Sequence, residues 1–271
     1  MNVLRLDGTE LAYSLRGRGP DVTLLHGFTQ RGDAWDEIAI PLARSHRCIT
    51  PDLRGHGATM ITPATPISLR ACADDVVALW DSLSVVRSHL VGYSMGGRLA
   101  LQIAVAHPDR VSSLVLLSSH AGLYDHERSV RREQDDALAA RIALEGIEHF
   151  TAYWESLPLF ETLARRRPDL TAELHARRLA NDPAALAASL RGMGAGVMRP
   201  KWDELGALDV PALVIAGADD SRYLAFARRL GAALPDARVE IVRDAGHAVH
   251  LEQPQIVGAL LADFFREVDA P

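Results

Sequence analysis

Several ingredients that mark whole classes of protein are scarce or missing in this chain. Its 271 residues include two cysteines, Cys48 and Cys72, far apart and without metal-ligand spacing around them. Neither a disulfide framework nor a cysteine zinc site is therefore expected, and both are read as buried thiols. No apolar run is long enough to span a bilayer, and the opening Met1-Asn2-Val3-Leu4-Arg5-Leu6-Asp7 holds no apolar signal core; the expected address is the cytoplasm. Excess positive charge is missing too. A formal net charge of −6 offers no global attraction to nucleic acid or to an anionic membrane, so any positive field must be local and built from clustered arginines. There is no internal repeat or low-complexity segment. With 48% hydrophobic and 24% charged residues, the composition is that of a soluble globular protein, not a disordered or fibrous one.

The length suits one compact domain with an insertion. Val3 to Leu6 and Leu11 to Leu15 flank the turn Asp7-Gly8-Thr9-Glu10 and predict an opening hairpin. Short β-branched or leucine-rich runs follow at Val22 to Leu25, Arg47 to Thr50, Ser88 to Val91, Val111 to Leu117, Ala212 to Ala216 and Arg238 to Val242, separated by stretches of helical period. That alternation predicts an α/β fold with a mostly parallel sheet and helices on both faces. The rhythm breaks between about Ser119 and Leu208, where Arg131 to Leu144, Ile147 to Trp154, Leu170 to Asn181 and Ala184 to Met193 have helical spacing with no strand between them. Pro158, Pro168 and Pro183 punctuate these runs at positions that fit helix boundaries. The expected organisation is a core over 1–118, a helical cap over 119–208 and the rest of the core over 209–271.

Gly92-Tyr93-Ser94-Met95-Gly96 is a G-x-S-x-G sequence set between a predicted strand and a predicted helix. This is the context of a nucleophile elbow, in which flanking glycines leave room for a strained turn that lifts the serine above the sheet. A serine hydroxyl needs a base. His247, in Asp244-Ala245-Gly246-His247, follows the last predicted strand and is the natural candidate; His250 is its rival but falls in the ensuing helical turn. The acid that orients the histidine belongs between serine and histidine in the chain, where Gly217-Ala218-Asp219-Asp220 offers two adjacent aspartates. The backbone amides of Met95 and Phe28 are the expected oxyanion donors, with His26 fixing their loop. His56, in Asp52-Leu53-Arg54-Gly55-His56-Gly57, is read as part of a structural bend.

Together His26-Gly27-Phe28, the elbow with Gly97-Arg98, and Ala245-Gly246-His247-Ala248-Val249-His250-Leu251-Glu252 resemble the α/β-hydrolase superfamily. Within it the chain is most similar to the 2-succinyl-6-hydroxy-2,4-cyclohexadiene-1-carboxylate synthases of menaquinone biosynthesis. That similarity extends through Ser118-Ser119-His120-Ala121-Gly122-Leu123, Glu127-Arg128 with Arg131-Arg132, Trp154 before Pro158-Leu159-Phe160, Arg178 ahead of Asn181-Asp182-Pro183, and Leu190-Arg191-Gly192-Met193-Gly194. The resemblance implies a triad of Ser94, Asp220 and His247, since G-x-x-D in relatives matches Asp220, and leaves Asp219 as a solvated or helix-capping carboxylate. It implies that Arg98, Arg131 and Arg178 bind the carboxylates of a small polycarboxylate substrate, with Tyr93 and Trp154 lining the pocket. Guanidinium forks suit that task. The run Arg165 to Arg167 is read as a solvated cap face.

By the same resemblance the expected reaction is elimination of pyruvate from 2-succinyl-5-enolpyruvyl-6-hydroxy-3-cyclohexene-1-carboxylate, with no metal or organic cofactor. Two positions depart from the relatives: Arg54 stands where they more often carry proline, and Tyr223 where phenylalanine is common. Arg54 is shared with ester and carbon–carbon hydrolases of the superfamily, so hydrolysis by the same triad is the alternative expectation. A catalytically silent receptor is a remote third.

Overall fold

The computed structural model describes residues 1–270. Nine strands form one sheet: β1 (Asn2–Leu6), β2 (Thr9–Arg16), β3 (Asp21–Leu25), β4 (Arg47–Pro51), β5 (Met60–Ile61), β6 (Ser88–Tyr93), β7 (Val111–Leu117), β8 (Ala212–Gly217) and β9 (Ala237–Val242). Their order is β1-β2-β4-β3-β6-β7-β8-β9, with the two-residue β5 paired to β2. The pairs β1/β2, β2/β4 and β2/β5 are antiparallel; the rest of the ladder is parallel. Strands β6 and β8 are buried along their whole length, as central strands of a sheet covered on both faces are. β5 is too short to leave a periodic signal in the sequence.

The helices are α1 (Asp36–Leu42), α2 (Leu69–Ser82), α3 (Met95–Ala106), α4 (Asp125–Glu155), α5 (Glu161–Arg166), α6 (Pro168–Leu179), α7 (Pro183–Met193), α8 (Ser221–Ala233), α9 (Val249–Glu252) and α10 (Pro254–Val268). One core layer packs α2, α3 and α8 against the sheet through Val76, Leu79, Leu99, Ile103 and Leu230. The opposite layer packs α1 and α10 through Ile38, Leu42, Val257, Leu261 and Phe265. Among the described residues no helix is long and apolar enough to cross a membrane.

Chain connections leave the β3/β6 pair in opposite directions, β3 to its neighbour β4 and β6 to its neighbour β7. Such a reversal opens a crevice at the carboxyl ends of the strands, where ligands bind in open α/β sheets. Both the His26-Gly27-Phe28 loop and Ser94 emerge there. The stretch from β7 to β8 carries α4 to α7 and no strand. Where spacing predicts two helices, Arg131 to Leu144 and Ile147 to Trp154, the structure has one run broken at Gly146, whose φ of 83° glycine adopts without a Cβ penalty. A small apolar cluster of Ala139, Ile142, Phe150, Leu186, Ala187 and Leu190 holds α4 to α7, and Phe28 and Trp154 pack on it.

Two charged features differ from the sequence reading. Arg54 lies away from the crevice, buried in a two-pronged ion pair with Asp75 on α2 (Nη2–Oδ1 2.7 Å), and donates to the Pro66 carbonyl at 2.8 Å. The run Arg165 to Arg167 is not a solvated face throughout: Arg166 bridges Asp219 and Asp244. Arg167 joins Asp169 to Glu37 on α1 and donates to the Leu251 carbonyl at 2.7 Å. Spacing along a helix cannot reveal partners that the chain supplies more than 50 residues away.

Because Arg54 and Asp75 are both buried, removing one strands the other. Asp75→Ala is expected to cost about 3–5 kcal/mol in urea unfolding, with Arg54→Met/Asp75→Leu recovering much of it; an Asp75→Ala protein of parental stability would contradict this account.

Candidate active site

The site begins with a backbone constraint. Ser94 sits between β6 and α3 at φ 50°, ψ −107°, a conformation that costs a non-glycine residue about 1–3 kcal/mol. It is tolerated because its surroundings are fixed: the Ser94 amide donates to the Leu117 carbonyl at 2.9 Å, and the Ser119 hydroxyl donates to the Ser94 carbonyl at 3.0 Å. A Cβ on Gly92 would strike the Gly96 carbonyl, and one on Gly96 would strike that of Leu25. Both glycines of the motif are therefore sterically required.

The side chains converge as a linear relay. His247 Nε2 lies 3.2 Å from Ser94 Oγ, and His247 Nδ1 lies 2.8 Å from Asp220 Oδ2. Asp220 rather than Asp219 also caps α8, accepting from the Tyr223 amide at 3.2 Å through its other oxygen. Of the two roles expected of Asp219, solvated or helix-capping, the cap falls to Asp220, while Asp219 is exposed and pairs with Arg166 at 2.8 Å. Two anchors hold the histidine loop: the Asp219 amide donates to the Ala245 carbonyl at 2.9 Å, and the Gly246 amide donates to Glu252 Oε2 at 2.9 Å. Glu252 also accepts from Thr162 of α5 at 3.2 Å. Sequence reasoning quoted Glu252 within a motif without assigning it this anchoring role, because its partners are reached only through the tertiary fold.

His250 is no base for Ser94. It is wedged between Trp35 and Tyr93, with ring centroids at 4.7 and 4.2 Å, neither ring nitrogen has a hydrogen-bond partner, and burial pushes its pKa down to about 3. His26 fixes its loop: Nε2 accepts from the Leu53 amide at 2.9 Å, which leaves Nδ1 to carry the proton donated to the Gly27 carbonyl at 2.8 Å. Burial lowers its pKa to about 4 and that of the adjoining His56 to about 3. Gly27 is obligatory, because a Cβ there would meet the Tyr93 ring.

Met95 opens α3, so its amide has no acceptor within the helix; Arg98 is the first whose amide reaches back, to the Ser94 carbonyl at 3.1 Å. Together with Phe28 it lines a cavity open to solvent, whose walls also include Ser94 and His247. Tyr93, Arg98, Arg131, Trp154 and Arg178 line the same cavity. Asp220 stands behind His247. Tyr223, Gln30, Phe160 and Ser189 also face this space; Phe160 stood in a motif shared with relatives without a role, and nothing in the sequence singles out Gln30 or Ser189.

Its chemistry is mixed. An aromatic ladder runs from Phe28 to Trp154 at 5.3 Å, on to Phe160 at 5.5 Å, and from there to His247 at 6.2 Å. Tyr223 lies 4.3 Å from the His247 ring. Against this apolar wall stand three guanidinium groups. Arg131 is held by Asp135 at 2.7 Å and Arg178 by Glu155 at 2.7 Å, with the Arg178 Nε buried and unpartnered. Arg98 is 8% exposed and donates to the Met193 carbonyl at 2.6 Å; among the described residues no carboxylate lies within ion-pair distance of it. Burial, reinforced by the charge of Arg131, lowers its pKa to about 10, so it stays cationic at neutral pH. Asn181 ties α6 to the site by donating to the Thr29 carbonyl at 3.2 Å while accepting from the Gly57 amide at 3.3 Å.

These three buried imidazoles contribute to an acid limit. His26, His56 and His250 stay neutral when folded but take up protons once unfolded, so their contribution is intact above about pH 6.5 and lost as pH falls from there toward about 3–4. His250→Phe should reduce the pH slope of unfolding free energy by roughly 1.4 kcal/mol per pH unit within that window; an unchanged slope in urea titrations would rule out a neutral His250.

A model of the α/β hydrolase fold family matches residues 20–254. The chain is 37% identical over 99% of its length, and 99% of the relative's, to a Bacillus subtilis protein provisionally named as a 2-succinyl-6-hydroxy-2,4-cyclohexadiene-1-carboxylate synthase. It is 31% identical to the synthase of that name from an Enterobacter species, over 91% of this chain and 92% of the other. Among solved structures, MenH from S. aureus superposes with a TM-score of 0.92 at 27% identity, covering 95% of this chain and 99% of that one. A thermophilic esterase from Thermogutta terrifontis gives 0.86 at 30% identity, covering 97% and 95%. The chain belongs to the α/β hydrolase fold family and, within it, to the family of 2-succinyl-6-hydroxy-2,4-cyclohexadiene-1-carboxylate synthases.

Proposed function

We propose that the chain is a lyase of menaquinone biosynthesis, releasing pyruvate from 2-succinyl-5-enolpyruvyl-6-hydroxy-3-cyclohexene-1-carboxylate to form 2-succinyl-6-hydroxy-2,4-cyclohexadiene-1-carboxylate. The observation that carries this reading is Arg98, a buried cation facing the cavity with no carboxylate partner from the protein. Burying an uncompensated charge costs several kcal/mol, and a carboxylate brought by the substrate supplies the missing partner. Arg131 and Arg178, each only partly satisfied by its own acid, extend the same recognition to further carboxylates, while Tyr93 and Trp154 shape the apolar wall beside them.

In this reading Ser94 Oγ takes a proton from a ring carbon as its own proton passes to His247 Nε2, 3.2 Å away. Asp220 holds the Nδ1–H and stabilises the imidazolium. Electrons from the broken C–H bond at C2 form C2=C3, the existing C3=C4 pair shifts to C4=C5, and the C5–O bond to the enolpyruvyl group breaks with its pair on oxygen. Protonation of the departing enolate gives pyruvate. The Met95 and Phe28 amides stabilise enolate-like charge on the substrate as it develops. No acyl-enzyme forms: the relay of side chains supplies the proton transfer and the backbone amides the charge stabilisation.

Pyruvate release from substrate generated in situ by the preceding pathway enzyme tests the reading. Ser94→Ala should reduce release to the spontaneous rate, and Arg98→Ala should lower kcat/KM roughly 10- to 100-fold, mainly through KM, the loss of one charged hydrogen bond. Ester hydrolysis is the second reading, favoured by the likeness to the Thermogutta esterase. It would gain if wild-type release were no faster than that of Ser94→Ala while a carboxylester was turned over in a Ser94-dependent way.

A further inference from the structure

A second cluster of chemically competent side chains lies at the other edge of the sheet. His46 immediately precedes β4, His89 is the second residue of β6, and Asp269 immediately follows α10. These are the amino ends of the parallel strands, whereas Ser94 stands at the carboxyl end of β6. The active-site chemistry makes no use of any of the three.

We propose that His46, His89 and Asp269 form a binding site for a divalent transition-metal ion of the zinc type, which clips the C-terminal helix to the sheet. His89 Nε2 lies 3.1 Å from Asp269 Oδ1, His46 Nε2 lies 3.8 Å from Asp269 Oδ2, and one ligand atom from each residue falls within 4.8 Å of the other two. Donor atoms on one face of a tetrahedral zinc site, with bonds near 2.0–2.2 Å, are separated by about 3.3–3.5 Å. Small side-chain movements therefore bring this set onto one ion.

The surroundings orient the ligands as a metal site needs. His89 Nδ1 lies 2.8 Å from the Ser113 hydroxyl, and His46 Nδ1 lies 2.8 Å from that of Ser45. With an ion bound, each hydroxyl can accept an Nδ1–H, leaving the Nε2 lone pair free to ligate beside Asp269. The Phe265 ring stacks on His89 at 4.3 Å and lies 5.5 Å from His46, giving the site an apolar wall. Both rings are buried while Asp269 is exposed, so an ion enters from the solvent side and keeps water at its remaining position. Two neutral imidazoles and one carboxylate favour zinc or cobalt over magnesium or calcium, which take oxygen ligands.

The test uses the full chain, stripped with a chelator and titrated with Co2+ and with Zn2+. We expect one equivalent of Co2+ to give the intense visible bands of a four-coordinate site, and Zn2+ to displace it and raise Tm. Asp269→Asn, at an exposed position, and His46→Gln should each weaken Co2+ binding at least tenfold while leaving Ser94-dependent turnover unchanged. Absence of stoichiometric uptake would overturn the proposal. So would binding that survives in both variants, or binding lost in His247→Ala instead, which would place the ion at the triad.

Discussion

The turn at Ser94 is the constraint from which the working end of this molecule follows. Strand β6 must stop and helix α3 must start within one residue, and that residue is forced into a left-handed conformation. The turn survives because Gly92 and Gly96 let backbone carbonyls close in and because Leu117 and Ser119 bond the serine's own amide and carbonyl. The same geometry that strains Ser94 leaves the first amides of α3 without helical partners, Met95 among them. One local conformation thus presents a serine hydroxyl and a backbone amide free of helical partners toward the same cavity.

Everything else at the site is positioned relative to that turn by long-range pairing. Asp220 holds His247 with one oxygen and the start of α8 with the other, so orientation of the imidazole and initiation of a helix depend on a single carboxylate. The helices between β7 and β8 supply what the core lacks: Trp154 and Phe160 continue an aromatic path from Phe28 to His247, while Arg131 and Arg178 bring positive charge over it. Asn181, Arg166 and Arg167 tie these helices to the loop after β3, the loop after β8 and α1. An acidic chain, at −6 overall, thereby concentrates cations where an anionic molecule would be held. Arg98 is the sharpest case, since its desolvation is compensated by one carbonyl and no carboxylate. A site left electrostatically incomplete in this way gains most when an anion enters it.

How much of this was legible before the fold was known depends on the range of each interaction. Strand and helix runs, the elbow and the His247 loop were readable because period, glycine placement and chain order are local signals. The choice between Asp219 and Asp220 needed the resemblance to relatives, and the division of labour between them emerged only when Arg166 was found opposite one and His247 opposite the other. Arg54 looked like a mark of hydrolase chemistry and proved to be the partner of Asp75, 21 residues along the chain. Glu252, the Arg166 and Arg167 bridges, and the meeting of His46, His89 and Asp269 left no local trace.

The sequence by itself determined the alternating layers, the strained serine turn and the chemical kinds of residue available to the site, because these follow from side-chain size, periodicity and backbone freedom over a few consecutive positions. Tertiary structure alone decided which charges are paired, which imidazoles are held neutral and which arginine is left without a carboxylate. Those properties depend on burial and on partners distant in the chain, and a desolvated charge acquires its energy only when the fold has removed the water around it.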